Sequence, residues 1–244
     1  MREGGRILAG IMEQIGQAAM PGKNTLELDK LAEGLIFASG GTPSFKGYGA
    51  ETGNPFPATI CASINAEIVH GLPDKDKTLK AGDMFKVDIG MKYQGLHTDM
   101  ARTFAVGEVE EEAAKLIKVT EQCFWEGVRQ IGPGKMLSEY SKAVQKHVET
   151  NGFSVVRNLV GHGVGQELHE DPQVPNYFNK KFQDVCLAPG MMLALEPMVN
   201  AGTFETKLGH DGWTFLTRDG KLSAHYENTI LITEEGVEVL TILK

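Results

Sequence analysis

The sequence predicts an α+β fold of two pseudo-symmetric halves, in which a curved, largely antiparallel sheet is covered by helices. Three observations carry that prediction. Pro21-Gly22-Lys23 recurs as Pro133-Gly134-Lys135, 112 residues further on. A strand entered through a glycine turn and ending in an acid also recurs, from Gly82 to Asp88 and from Gly190 to Glu196. The acid lies six residues past the glycine each time, and the copies are 108 residues apart. No Pro/Ser-rich linker or low-complexity tract parts them. A period this long is unlike the short repeats of solenoids. The chain therefore reads as one domain over residues 1–244, with halves at about 1–107 and 108–244.

Each element has its own signal. Ile7, Ile11 and Ile15 form one helical stripe within residues 5–19, with Leu8 and Met12 beside them, and Pro21-Gly22 stops that helix. A second helical pattern runs over about 25–38, capped by Asn24 or Thr25 and ended by Gly40-Gly41. In the second half, Ala113, Leu116, Ile117, Thr120, Phe124 and Val128 mark a helix that stops at Gly132-Pro133-Gly134. Ser138 opens a fourth, which ends at Asn151-Gly152. After each helix pair comes the glycine-entered strand, Met84 to Asp88 or Met191 to Glu196.

Composition is that of an ordinary soluble domain, with 41% hydrophobic and 23% charged residues among 244. The net charge of −8, from 32 acidic and 24 basic residues, argues against a general grip on nucleic acid or on an anionic membrane. Cys61, Cys123 and Cys186 are odd in number and lack CxxC spacing, which suits a reducing cytosol. The N-terminal Met-Arg-Glu-Gly-Gly-Arg leads into an amphipathic pattern, not an apolar signal core, and no stretch reaches membrane-span length. A cytoplasmic location is the expectation.

The acids ending the repeated strands are the chemical signal. A carboxylate is costly to bury unless a cation or hydrogen bonds compensate. Val87-Asp88-Ile89 and Leu195-Glu196-Pro197 both place one at the end of an apolar run. One such acid is ordinarily a strand-end or capping residue. Here two stand at equivalent places, each with an acidic companion. Asp99 follows Asp88 by eleven residues across the hairpin Met91-Lys92-Tyr93-Gln94-Gly95, which brings the two acids onto one face. Glu227 holds the matching place 31 residues after Glu196, at the start of the strand Tyr226–Ile232, with a longer loop carrying Trp213 between them. Two pairs facing across a seam make a cage of hard oxygen ligands.

Histidines accompany the acids. His162 lies in Gly161-His162-Gly163-Val164-Gly165, whose glycines permit close backbone approach and leave space around the ring. His169 follows in Leu168-His169-Glu170, and His70 sits where the apolar run Ile68-Val69 turns. A satisfied structural histidine and a catalytic one are equally consistent with each of these contexts. His97, His147, His210 and His225 have weaker contexts; His147 reads as solvated and His97, near Asp99, as a supporting residue.

In order and spacing these motifs resemble the type I methionine aminopeptidases, of the pita-bread metallopeptidase superfamily. The likeness spans essentially the whole chain. It rests on Ser63-Ile64-Asn65 to His70-Gly71, Val87-Asp88-Ile89-Gly90 with Thr98-Asp99, and Gly161–Gly165 leading to His169-Glu170. It continues through Glu196-Pro197-Met198 to Tyr226-Glu227-Asn228-Thr229. The resemblance implies a pita-bread fold and two divalent metal ions (Co, Mn, Fe or Zn) held by Asp88, Asp99, His162, Glu196 and Glu227. Asp99 and Glu227 would bridge both ions, and an activated bridging water would be the nucleophile. It further implies proton transfer by Glu196, and substrate binding and oxyanion stabilisation by His70 and His169. Cys61 and Trp213 are candidates for the methionine pocket, Trp213 also being explicable as ordinary aromatic packing.

The implied substrate is the N-terminal Met of nascent polypeptides, with transient proximity to the ribosome, no direct nucleic acid or membrane contact, and a monomeric state. Residues 49–56 read as an insertion beside the pocket, and Val69 and Leu168 stand where other members carry cysteine and phenylalanine. The chain reads as starting inside its first helix, without an N-terminal zinc-binding extension or the helical insertion of type II members between Glu196 and Glu227. Both absences suit a compact bacterial-type enzyme. Two other readings stand beside this one. One is a proline-directed aminopeptidase of the same superfamily, which would usually carry a separate N-terminal domain. The other is a non-catalytic binding module, which would typically lack several of the ligands.

Overall fold

The computed structural model describes residues 1–243. The first half opens with helices α1 (Arg2–Ala18) and α2 (Thr25–Ala38), then strands β1 (Thr42–Pro43), β2 (Ile60–Ile64), β3 (Glu67–Val69), β4 (Met84–Tyr93) and β5 (Leu96–Ala105). The second opens with α3 (Glu111–Val128) and α4 (Ser138–Thr150), then β6 (Ser154–Val155), β7 (Gly161–Gly163), β8 (Glu170–Val174) and β9 (Met192–Leu195). It ends with β10 (Met198–Asn200), β11 (Thr206–Leu208), β12 (Phe215–Thr217), β13 (Ser223–His225), β14 (Asn228–Ile232) and β15 (Val237–Val239). Among the described residues no helix is long and apolar enough to cross a membrane.

The helices form for the reasons their sequences suggest. α1 buries Leu8, Ile11, Met12 and Ile15, while Ile7 is half-buried at the edge of the stripe. At α2 the cap is Asn24: its side chain accepts from the Glu27 N–H at 2.9 Å, and the Glu27 carboxylate accepts from the Asn24 N–H at 3.2 Å. α3 and α4 bury Leu116, Phe124, Tyr140 and Val144 in one core with Leu193 and Leu195 of β9 and Ile230 and Ile232 of β14. Each helix pair thus covers its own half of the sheet, over its own core.

The sequence repeat has a hydrogen-bonded counterpart. The Gly22 N–H donates to Leu79 O and the Leu79 N–H to Lys23 O; in the other half Gly134 donates to Leu187 O and Leu187 to Lys135 O. Bridges at Asn24–Thr78 and Met136–Cys186 complete the correspondence. Both helix–helix linkers are therefore tied in the same way to the segment that leads into the acid-bearing strand.

Among the described residues all strand pairs are antiparallel, and they form four hydrogen-bonded sheets rather than one ladder. β4 and β5 join through the two-residue turn Gln94-Gly95, both at positive φ (50° and 83°), the geometry that matches strand twist. The halves meet where β5 runs beside the approach to β14. Ala101 and Glu227 exchange backbone hydrogen bonds, and Thr229 Oγ1 bonds both the N–H and the carbonyl of Asp99, each at 2.9 Å. Buried Lys86 spans the same seam, donating to Asn65 O in one half and Ser223 O in the other.

The 30-residue stretch between Glu196 and Glu227 is not a loop, contrary to the sequence reading. β10 pairs with β13, and the β11–β12 hairpin adds to β3, so Trp213 is carried to the strand that leads into His70. Alternating inward and outward side chains over three-residue strands leave too short a pattern to read.

Candidate metal centre

Asp88 lies in mid-β4, opposite Cys61 on β2 and Ala101 on β5. Asp99 pairs with Gly90, so the two acids are diagonal neighbours on one face rather than directly opposed. That spacing is within the reach of carboxylates, and each acid bears on the other's proton affinity. In the other half Asn228 pairs with Leu195, which sets Glu227 and Glu196 opposite each other just past the ladder's end. Pro197, with no N–H, follows Glu196 at the strand's end.

His162 enters on β7, between β8 and β9. A Cβ at Gly161 would collide with the Ala194 carbonyl, and one at Gly163 with the Asp171 carbonyl. Only glycine lets the strand come this close to its neighbours. The His162 ring places Nδ1 at 2.8 Å from the Gly163 carbonyl. A carbonyl only accepts, so Nδ1 carries the hydrogen and Nε2 keeps its lone pair, 3.6 Å from Glu196 Oε1.

All nine predicted site residues line a single cavity: Asp88, Asp99, His162, Glu196, Glu227, His70, His169, Cys61 and Trp213. Its remaining walls are Phe45, Tyr48, Phe56 and Leu168. The acids form its polar wall. Phe56 meets Trp213 edge-on at 5.2 Å, and Phe45, Cys61 and Leu168 pack with them as an apolar wall. Val69, by contrast, packs with Ile68, Val156 and Met198 outside this wall, so it does not shape the cavity directly.

Burial dominates the electrostatics. It drives Asp88, Glu196 and Glu227 well above the usual carboxylate range, reinforced by their mutual negative charge, and raises Asp99 to about 7. Burial also lowers the histidines: His162 falls below its ordinary value and His70 to about 4, so both are neutral at pH 7. His169, open at one edge, is lowered by desolvation and then by His162, His70 and His97.

A divalent cation fits this donor set. Asp88 Oδ1, Asp99 Oδ1 and Glu227 Oε1 are buried and accept no hydrogen bond. Ligand atoms of Asp99, His162 and Glu227 lie within 4.8 Å of one another. Carboxylates with one imidazole suit divalent metals of the Mn–Zn range.

Two neighbours were missed from sequence. His225 is 1% exposed, and its Nε2 lies 3.8 Å from Glu196 and 4.0 Å from Glu227, with neither ring nitrogen hydrogen-bonded. Its position two residues before Glu227, on the same face of an extended chain, was the available signal. Tyr48, just before the segment read as an insertion, reaches His169. His97 does not enter the cavity; Ser44 Oγ lies 2.8 Å from its Nδ1, and its N–H donates to Gly165 O, which anchors the glycine-rich turn. His147 is half-buried on α4 with Nε2 enclosed, rather than solvated.

An acid-and-histidine cage at the junction of two like halves is the mark of a metallopeptidase class, and the chain belongs to metallopeptidase family M24, whose family model matches residues 1–234. Within that family its relatives are methionine aminopeptidases. That of Clostridium acetobutylicum is 48% identical over 242 residues, covering 99% of this chain and 94% of the relative. The methionine aminopeptidase of Thermotoga maritima superposes with a TM-score of 0.94 at 42% identity, covering 100% of this chain and 95% of that one. The prolidase of Pyrococcus furiosus shares the pita-bread fold, with a TM-score of 0.79, but only 21% identity; it covers 100% of this chain and 63% of that one.

Proposed function

We propose that this chain hydrolytically removes the N-terminal methionine from nascent proteins and peptides, as one catalytic domain with halves dividing near residue 107. In this reading Asp88, Asp99, His162, Glu196 and Glu227 would hold two divalent ions. The observation that carries it is the convergence of unpaired carboxylate oxygens and a lone-pair imidazole nitrogen in a cavity that also has an apolar wall. Full-length identity of 48% to a methionine aminopeptidase, against 21% to a prolidase, favours methionine over a proline-directed cut.

The metal ions, when bound, supply Lewis acidity toward the scissile carbonyl and toward the attacking water. The remaining work falls to the chain. Glu196, whose carboxyl holds a proton more tightly than usual, takes the proton from the water and passes it to the leaving amine. Neutral His70 and His169 donate hydrogen bonds to the carbonyl oxygen as negative charge develops on it. Phe45, Phe56, Cys61, Leu168 and Trp213 receive the thioether and exclude water, sulfur–aromatic contact favouring Trp213 as a wall. The protein acts in the cytoplasm as a monomer near the ribosome, touching neither membrane nor nucleic acid.

Manganese-loaded protein offered Met-Ala-Ser, Leu-Ala-Ser and Ala-Pro-Ala should cleave the first and leave the others largely intact. An untouched Met-Ala-Ser ends this reading, and preferred cleavage of Ala-Pro-Ala replaces it with the proline-directed one.

A further inference from the structure

The segment that reads as an insertion is pinched shut at its base. The Gly47 N–H donates to Phe56 O and the Phe56 N–H to Tyr48 O, both at 2.8 Å, so residues 49–55 form a closed excursion with a short helical turn at Ala50–Thr52. The two aromatic residues at its neck, Tyr48 and Phe56, both face the cavity. Phe56 packs on Trp213. Tyr48 meets the His169 ring edge-on at 4.8 Å between centroids, and its Oη lies 2.6 Å from His169 Nδ1.

We propose that Tyr48 is a positioning residue whose hydroxyl donates to His169 Nδ1 and thereby fixes the neutral ring in the tautomer with its hydrogen on Nε2. The direction follows from chemistry. A neutral phenol is a good donor and a poor acceptor, whereas an unprotonated imidazole nitrogen is a good acceptor. The separation of 2.6 Å is short for an N–H donor and ordinary for an O–H donor. With Nδ1 occupied, Nε2–H is the ring's one remaining donor. His162 is held oppositely, with hydrogen on Nδ1, through the Gly163 carbonyl. The two rings, 4.3 Å apart, are thus set by different partners for different tasks: one presents a lone pair, the other a hydrogen. The catalytic consequence rests on the proposed role of His169 as a donor to the developing oxyanion; the tautomer itself does not.

The test uses Tyr48→Phe, which keeps the ring contact and removes only the hydroxyl. Long-range 1H–15N spectra of the zinc-loaded wild type, assigned with His169→Asn, should show hydrogen on Nε2 and a hydrogen-bonded, unprotonated Nδ1. A proton on Nδ1 in the wild type overturns the proposal. On Met-Ala-Ser, Tyr48→Phe should lower kcat by about tenfold, one neutral hydrogen bond's worth, with KM moving less than about twofold. The split is expected because the donor strengthens only as charge develops. A kcat equal to wild type in a variant of unchanged melting temperature would also overturn it. Failure of the wild type to cleave Met-Ala-Ser at all speaks against the proposed function instead, and the nitrogen spectra still decide the tautomer.

Discussion

Asp99 shows how one residue can be costly and useful at once. It is 3% exposed, a diagonal neighbour of Asp88, and raised from about 3.8 to about 7 by burial. Because the folded state holds this proton more tightly than the unfolded chain, its contribution to stability is fully present below about pH 3.8. That contribution is lost as pH rises through about 7. Metal-free protein should therefore lose roughly 2–4 kcal/mol of unfolding free energy between about pH 4 and pH 8 from this group, and Asp99→Asn should flatten the curve. Added Mn2+ should restore wild-type stability mainly above about pH 7, since binding must displace the protons. Denaturant melts across pH, with and without metal, check both; a metal-free wild-type curve that rises through pH 7 contradicts the assignment.

His162 and His225 mark how far such residues could be read from the sequence. The glycines around His162 announced close packing, and that packing is what exposes the Gly163 carbonyl to Nδ1. His225 carried no glycine flag; its one local signal was its place two residues before Glu227, at the end of a three-residue strand. Its importance comes from Glu196, 29 residues earlier in the chain and 3.8 Å away in space.

At the scale of elements, the site depends on how near β7 approaches its neighbours. Gly163→Ala would push a methyl group against the Asp171 backbone carbonyl, which cannot swing aside as a side chain would. The variant should lose about 2–3 kcal/mol of stability and most of its activity, as β7 draws His162 away from Glu196. Chemical denaturation and peptide assays on the purified variant measure both; wild-type values would mean that the β7–β8 pairing yields without cost. The four helices and the strands β4, β5, β9 and β14 were legible because stripe, stop and turn chemistry agreed over many residues. β10 to β13 were not, since each spans three residues and pairs with strands remote in sequence.

The whole molecule is two helix-covered cores joined at one seam. Asp88 and Asp99 come from the first half, and His162, Glu196 and Glu227 from the second, so metal bound among them would cross-link the halves. Chelation should therefore lower the melting temperature and raise hydrogen exchange most at 97–103 and 225–229, where Asp99, Ala101 and Thr103 bond across to Thr229, Glu227 and His225. Mass-resolved exchange with and without a chelator reads this directly, and uniform protection in both states would show a seam that holds without metal. The repeat itself was visible in sequence, because duplicated Pro-Gly-Lys stops and glycine-entered strands are local features that each copy keeps.

By itself the sequence determined the two-fold helix–helix–strand plan, the acid at each strand's end, and the glycine-flanked histidine, since all follow from neighbours within a few turns of chain. Only the tertiary structure decided that Asp88 and Asp99 meet diagonally, that His225 sits beside Glu196 and Glu227, and that a hairpin brings Trp213 to the strand that leads into His70. It also decided that the excursion at 49–55 closes on itself and leaves Tyr48 on His169. These contacts depend on register and on strand pairings between distant parts of the chain, where a shift of one residue turns a side chain to the other face.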